Sequence, residues 1–61
     1  MQTAVIQPYQ LLEVQQWLND KGYVNTRNYT IEHRNTGQAI IGFFNVDHFT
    51  AFCSRFNIIT H

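Results

Sequence analysis

The stretch Tyr29–Phe44, YTIEHRNTGQAIIGFF, constrains the fold more than any other part of the chain. Tyr29, Ile31 and His33 alternate with Thr30, Glu32 and Arg34. A period of two with polar residues on one side marks a strand with one buried face. The run that follows, Ala39–Phe44, is apolar on both sides. Asn35-Thr36-Gly37 lies between them and supplies a turn. The faces fix its length. A three-residue loop pairs Arg34 with Gln38 and sets Tyr29, Ile31 and His33 opposite Phe43, Ile41 and Ala39, all on one face. A two-residue loop sets Ile31 against Gly42 and Glu32 against Ile41, which mixes the faces. The pattern therefore predicts a three-residue loop with Gly37 in the left-handed position.

The flanking segments read as helices. Pro8 suits a first helical turn. Leu11, Val14 and Leu18 recur at helical spacing with Trp17 beside them, while Glu13, Gln15, Gln16 and Asn19 take the other side. Gly22 supplies a left-handed stop, which predicts a helix over Pro8–Lys21. Beyond the hairpin, Asn45 and Asp47 are both good N-caps. Phe49, Phe52, Cys53 and Phe56 follow the i, i+3, i+4, i+7 rule, with His48, Thr50, Ser54 and Arg55 on the outer side. Asn57 can close that helix in a left-handed turn. Thr3–Ile6 and Ile58–Thr60 are β-branched runs that suit short terminal strands.

The resulting order is strand, helix, strand, strand, helix, strand. This is an α+β chain, and the order is that of a small ferredoxin-like split βαββαβ domain. In that arrangement the first and third strands are central, the second and fourth are edges, and both helices cover one face of an antiparallel sheet. The competing arrangement is αββα with irregular termini. Either way residues 1–61 form one compact domain, with no repeat, linker or low-complexity block. The expected core is Leu11, Val14, Leu18, Ile31, Ile41, Phe43, Phe49, Phe52 and Phe56.

A central third strand explains one of its greasy sides, which meets the phenylalanines of the second helix. The other side carries Ile40 and Phe44, and no element of the same chain covers it in this arrangement. If a partner buries them, each contributes roughly 1.5–3 kcal/mol. Ile40 and Phe44 are the first candidates for partner binding. Trp17 and Tyr9 come second, because Trp and Tyr are enriched at binding hot spots. The plainer role for Trp17 is to seal the core under the first helix.

Few residues suit catalysis. Cys53 and His48 lie five positions apart on one helix, which turns them roughly 140° away from each other. Cys53 also lies within the phenylalanine stripe, so it reads as a buried structural cysteine. His33 falls on the inward face near a sheet end, where a pH switch is conceivable and a half-buried, hydrogen-bonded histidine is the plainer reading. Glu32 and Arg34 form a solvated same-side pair. No two carboxylates are paired for acid–base work, and Gly22, Gly37 and Gly42 are too isolated to cradle a phosphate.

Composition enters through size and charge. A 61-residue chain buries only roughly 60% of the surface that its unfolded form exposes, so small domains lean on disulfides, metals or partners. One cysteine excludes an internal disulfide, and His33, His48 and His61 lack zinc-ligand spacing. Self-association is the remaining support. A formal net charge of zero argues against a basic nucleic-acid surface and against an acidic DNA mimic. No secretory signal and no membrane-length apolar run is seen, and the expected location is cytoplasmic. Asn28-Tyr29-Thr30 matches the glycosylation sequon, a chance match in that setting.

These features predict a non-enzymatic protein-interaction module, a self-associating adaptor or inhibitor that pairs with itself, a host protein or both. A phage or mobile-element origin suits so small a domain. No cofactor, metal or small-molecule substrate is expected. The alternative is single-stranded RNA binding through the open sheet face, which requires stacking aromatics and basic residues that strand three does not supply. An enzyme or ligand-binding variant of the ferredoxin-like class is a third possibility, but fold alone licenses no chemistry.

Overall fold

The structure, a computed structural model, describes residues 1–58. Its elements are β1 (Gln2–Ile6), a 3-10 turn (Pro8–Gln10), α1 (Leu11–Lys21), β2 (Tyr29–His33), β3 (Ala39–Phe43) and α2 (Val46–Phe56). The three strands form an antiparallel sheet in the order β1-β3-β2. The chain is thus a small α+β fold.

The hairpin register matches the face argument. Tyr29, Ile31 and His33 stand opposite Phe43, Ile41 and Ala39. The Arg34 N–H donates to the Gln38 carbonyl at 2.8 Å, and Gly37 takes φ +90°. Pro8 packs against the same glycine, since a Cβ there would lie 3.2 Å from the proline Cγ. The Gln38 side chain donates to Gln7 Oε1 at 3.0 Å and so ties the hairpin to the end of β1.

Both helix ends behave as their residues dictate. Pro8 opens a 3-10 turn rather than the α-helix itself, which begins at Leu11. Gly22 closes α1 at φ +76°. At α2 the choice between two caps falls to Asn45, whose Oδ1 accepts from the N–H groups of Asp47 (2.8 Å) and His48 (3.4 Å). Asn57 ends α2 at φ +57°.

One sheet face and both helices share a single core. Its buried members are Ala4, Ile6, Val14, Leu18, Ala39, Ile41, Phe43, Phe49 and Phe52. Every strand residue among them lies at an even position of β1 or an odd position of β3, so both helices lie on that face. Leu11, Ile31 and Phe56, expected in the core, are only partly buried. Ile31 lies on an edge strand, where helical cover thins out. Ala4, Ile6 and Ala39 were not expected there. They enter because β1 pairs with β3 over its full length and the shared face is closed by α2.

Two expectations meet the structure differently. The N-terminal run is a true strand, which removes the irregular start of the αββα arrangement. The first strand is an edge of the sheet among the described residues, not a central strand. A fourth strand was expected at Ile58–Thr60. Ile58 lies outside any strand and donates its N–H to the Cys53 carbonyl at 3.0 Å. Residues 59 and 60 lie outside the described residues.

Candidate interaction surface

The face of the sheet opposite the helices is built from alternate residues. Thr3 and Val5 of β1 stand beside Gly42 and Ile40 of β3, which stand beside Thr30 and Glu32 of β2. Phe44 belongs to the same face. Its N–H donates to the Asn28 carbonyl at 3.3 Å, which continues the ladder by one pair and carries the alternation past Phe43. Phe43 points into the core, so Phe44 points away from it.

This face is mostly apolar and mostly open. Phe44 is 55% exposed and Val5 48% exposed. Ile40 is half-buried, shielded by its neighbours on the two flanking strands. Met1 lies across the middle. A Cβ on Gly42 would sit 2.5 Å from the Met1 sulfur, and the Thr30 hydroxyl lies 3.7 Å from that sulfur. Met1 therefore lies over Gly42 while remaining 68% exposed itself. On the same face Val5 and Ile40 line a depression of about 440 Å³ together with Arg34, Asn35, Thr36 and Gln38. The Arg34 guanidinium pairs with Glu32 at 3.3 Å, both exposed, so the depression carries no uncompensated charge.

The second candidate pair separates. Trp17 packs edge-on against Tyr23, Phe52 and Phe56 with ring centroids 5.8–5.9 Å apart. Its role is to close the layer between α1 and α2. Lys21 lies over its outer face at 5.7 Å. Tyr9 projects from the 3-10 turn and is 83% exposed. Trp17 thus packs against the core while staying partly exposed, and Tyr9 stands apart from it.

Residues with chemistry in their side chains stay apart. Cys53 is half-buried, and burial pushes its thiol above the ordinary range, which disfavours the thiolate. His48 stacks on Tyr23 with centroids 4.3 Å apart, rather than lying on a solvated outer face. Its Nδ1 is buried and has no hydrogen-bond partner. Helical spacing alone misses this stack, because Tyr23 reaches α2 from the connection after α1. His33 is exposed and lines a cleft of about 290 Å³ with Tyr29, Ile31, Asn25 and the α1 residues Gln15, Leu18 and Asn19. Among the described residues no three His, Cys, Asp or Glu side chains converge to hold a metal ion. No helix among them is long and apolar enough to cross a membrane.

The chain matches no protein family, no curated protein and no solved structure in comparisons with each.

Proposed function

We propose that this protein is a non-enzymatic interaction module whose open sheet face binds protein. The observation that carries the reading is the apolar face formed by Val5, Ile40 and Phe44, with Met1 across it. Contiguous apolar patches on small domains mark contact sites. The partner is a second copy of the chain, a host protein in the cytoplasm, or both. An adaptor or inhibitor carried by a phage or mobile element suits such a module.

The order β1-β3-β2 with both helices on one face is three-quarters of the split βαβ arrangement. In that frame the outer side of β1 is where a further strand adds to the sheet. The RNA-binding alternative receives little support: Phe44 is the one aromatic on the open face among the described residues, and Arg34 is already paired with Glu32.

The test is the mass in solution by light scattering, at low and high salt, for the native chain and an Ile40→Thr/Phe44→Ala variant. Apolar association persists at high salt, whereas binding to phosphates falls steeply with it. The expected result is salt-insensitive assembly that the double variant weakens by tenfold or more while staying folded. Unchanged assembly and unchanged partner capture in a folded variant would refute the reading.

A further inference from the structure

Among the described residues one side of the β1 backbone is unpaired, and its identity follows from the ladder. Arg34 pairs with Gln38, and Asn28 with Phe44, through hydrogen bonds between β2 and its neighbour. Hydrogen-bonded pairs alternate in an antiparallel ladder. Even residues of β3 therefore bond toward β2, and Ala39, Ile41 and Phe43 bond toward β1. Their partners are Ile6, Ala4 and Gln2. The N–H and C=O groups of Thr3 and Val5 consequently point outward, and nothing among the described residues pairs with them.

The two edges of the sheet are treated differently. On β2 the carbonyl of Tyr29 accepts from the Thr26 N–H at 2.6 Å, and Asn25 bridges to Tyr29. The rest of that edge is flanked by Glu32, His33 and Arg34. Charges and a covering turn are ordinary guards against edge pairing. β1, QTAVI, carries no charge, proline or bulge.

We propose that the free edge of β1 pairs with β1 of a second copy, antiparallel about a two-fold axis through Ala4. This rests on the reading of the chain as a self-associating module. The register is self-complementary. Thr3 faces Val5 of the second copy in a hydrogen-bonded pair, twice over, so all four outward groups are satisfied. Ala4 faces its own copy in the close, non-hydrogen-bonded pair, where side chains approach most nearly and a small residue fits. Gln2 faces Ile6. A neutral strand in a chain of zero net charge meets no repulsion from its copy. Pairing joins the two sheets into one of six strands and runs both open faces together, so Val5, Ile40 and Phe44 of each copy form one continuous apolar surface. A five-residue edge covers less than the roughly 800 Å² per partner of a standard interface. Contacts at that low end of size are typically weak and transient, and the merged face remains available.

The test is amide hydrogen exchange on the native chain across a concentration series, read beside sedimentation. Thr3 and Val5 amides should gain protection as the dimer forms, while Ala4 and Ile6 are protected throughout. Val5→Pro removes an outward N–H and spares the ladder to β3, so it should weaken dimerisation by tenfold or more. Val5→Thr keeps that N–H and should dimerise. Protection of Thr3 and Val5 at every concentration, lost on truncation after Ile58, would give the edge to the chain's own C-terminal residues and overturn the proposal. Unprotected Thr3 and Val5 amides in a dimer that Ile40→Thr/Phe44→Ala abolishes would also overturn it, and would leave the open-face reading standing. A monomer at all concentrations, with the open face still capturing a partner, would do the same.

Discussion

Thr26 is a residue whose conformation and identity disagree. It adopts φ +68°, a region that costs an ordinary L-residue roughly 1–2 kcal/mol and suits a β-branched side chain least. The turn is held there because the Thr26 N–H closes on Tyr29 and the Val24 N–H donates to Asn28 Oδ1 at 2.9 Å. Asparagine tolerates this region, so Thr26→Asn should raise stability by about 0.5–1 kcal/mol, read from the urea midpoint. A lower midpoint would mean that the threonine side chain supplies more than the strain removes. The sequence gives no warning here, since Tyr23–Asn28 reads only as a polar connection. Cys53 makes a prediction with a definite sign. Its folded thiol holds its proton above the ordinary range because burial disfavours the thiolate. The unfolded thiol ionises first as pH rises, so stability is intact below the ordinary thiol pKa and declines above it. Iodoacetamide should accordingly alkylate Cys53 more slowly in the folded chain than in urea across pH 7–9. Equal rates would show an accessible, ordinary thiol.

At the scale of elements, the hairpin was legible because two periodicities had to agree across one turn. Only the three-residue loop places Ile31 and Ile41 on the same side, and that is the register observed. α2 was legible in its face, which the phenylalanine stripe fixes, while its start was left between Asn45 and Asp47 until the structure gave the cap to Asn45. Asn45→Ala removes a cap that satisfies two amide groups and should cost about 1 kcal/mol. A loss below about 0.3 kcal/mol in thermal unfolding would mean that water or Asp47 replaces the cap. β1 was legible as a strand but not as an edge. Its place depends on whether another strand lies beside it, and Thr3–Ile6 alone carries no signal of that. The same limit hid Ala4, Ile6 and Ala39 from the expected core. A short β-branched run reveals which faces exist, while burial depends on which strand it joins. The open face was anticipated through Ile40 and Phe44. Val5 and Met1 were not, because they join that face only once β1 is laid against β3.

For the molecule as a whole, size sets how much association matters. A chain of 61 residues has an expected stability of roughly 3–9 kcal/mol. A binding partner at a hundredfold excess over its Kd adds about 2.7 kcal/mol. Association of that strength would equal about 30% or more of the folding free energy, and for a domain of this size it would move the thermal midpoint by about 10 °C or more. No disulfide within the chain can supply that support, because Cys53 is the single cysteine. Unfolding of a dimer to two separate chains also obeys mass action, so the midpoint must rise with protein concentration. The native chain should show that rise at low and high salt alike, since apolar and backbone contacts are little screened. Val5→Pro should flatten the dependence by removing the edge pairing, whereas Ile40→Thr/Phe44→Ala should weaken only association built on the open face. A native midpoint that stays fixed across a hundredfold range of concentration would mean that the chain's own core, nine buried apolar residues among those described, holds the fold unaided, and that the open face serves a different molecule.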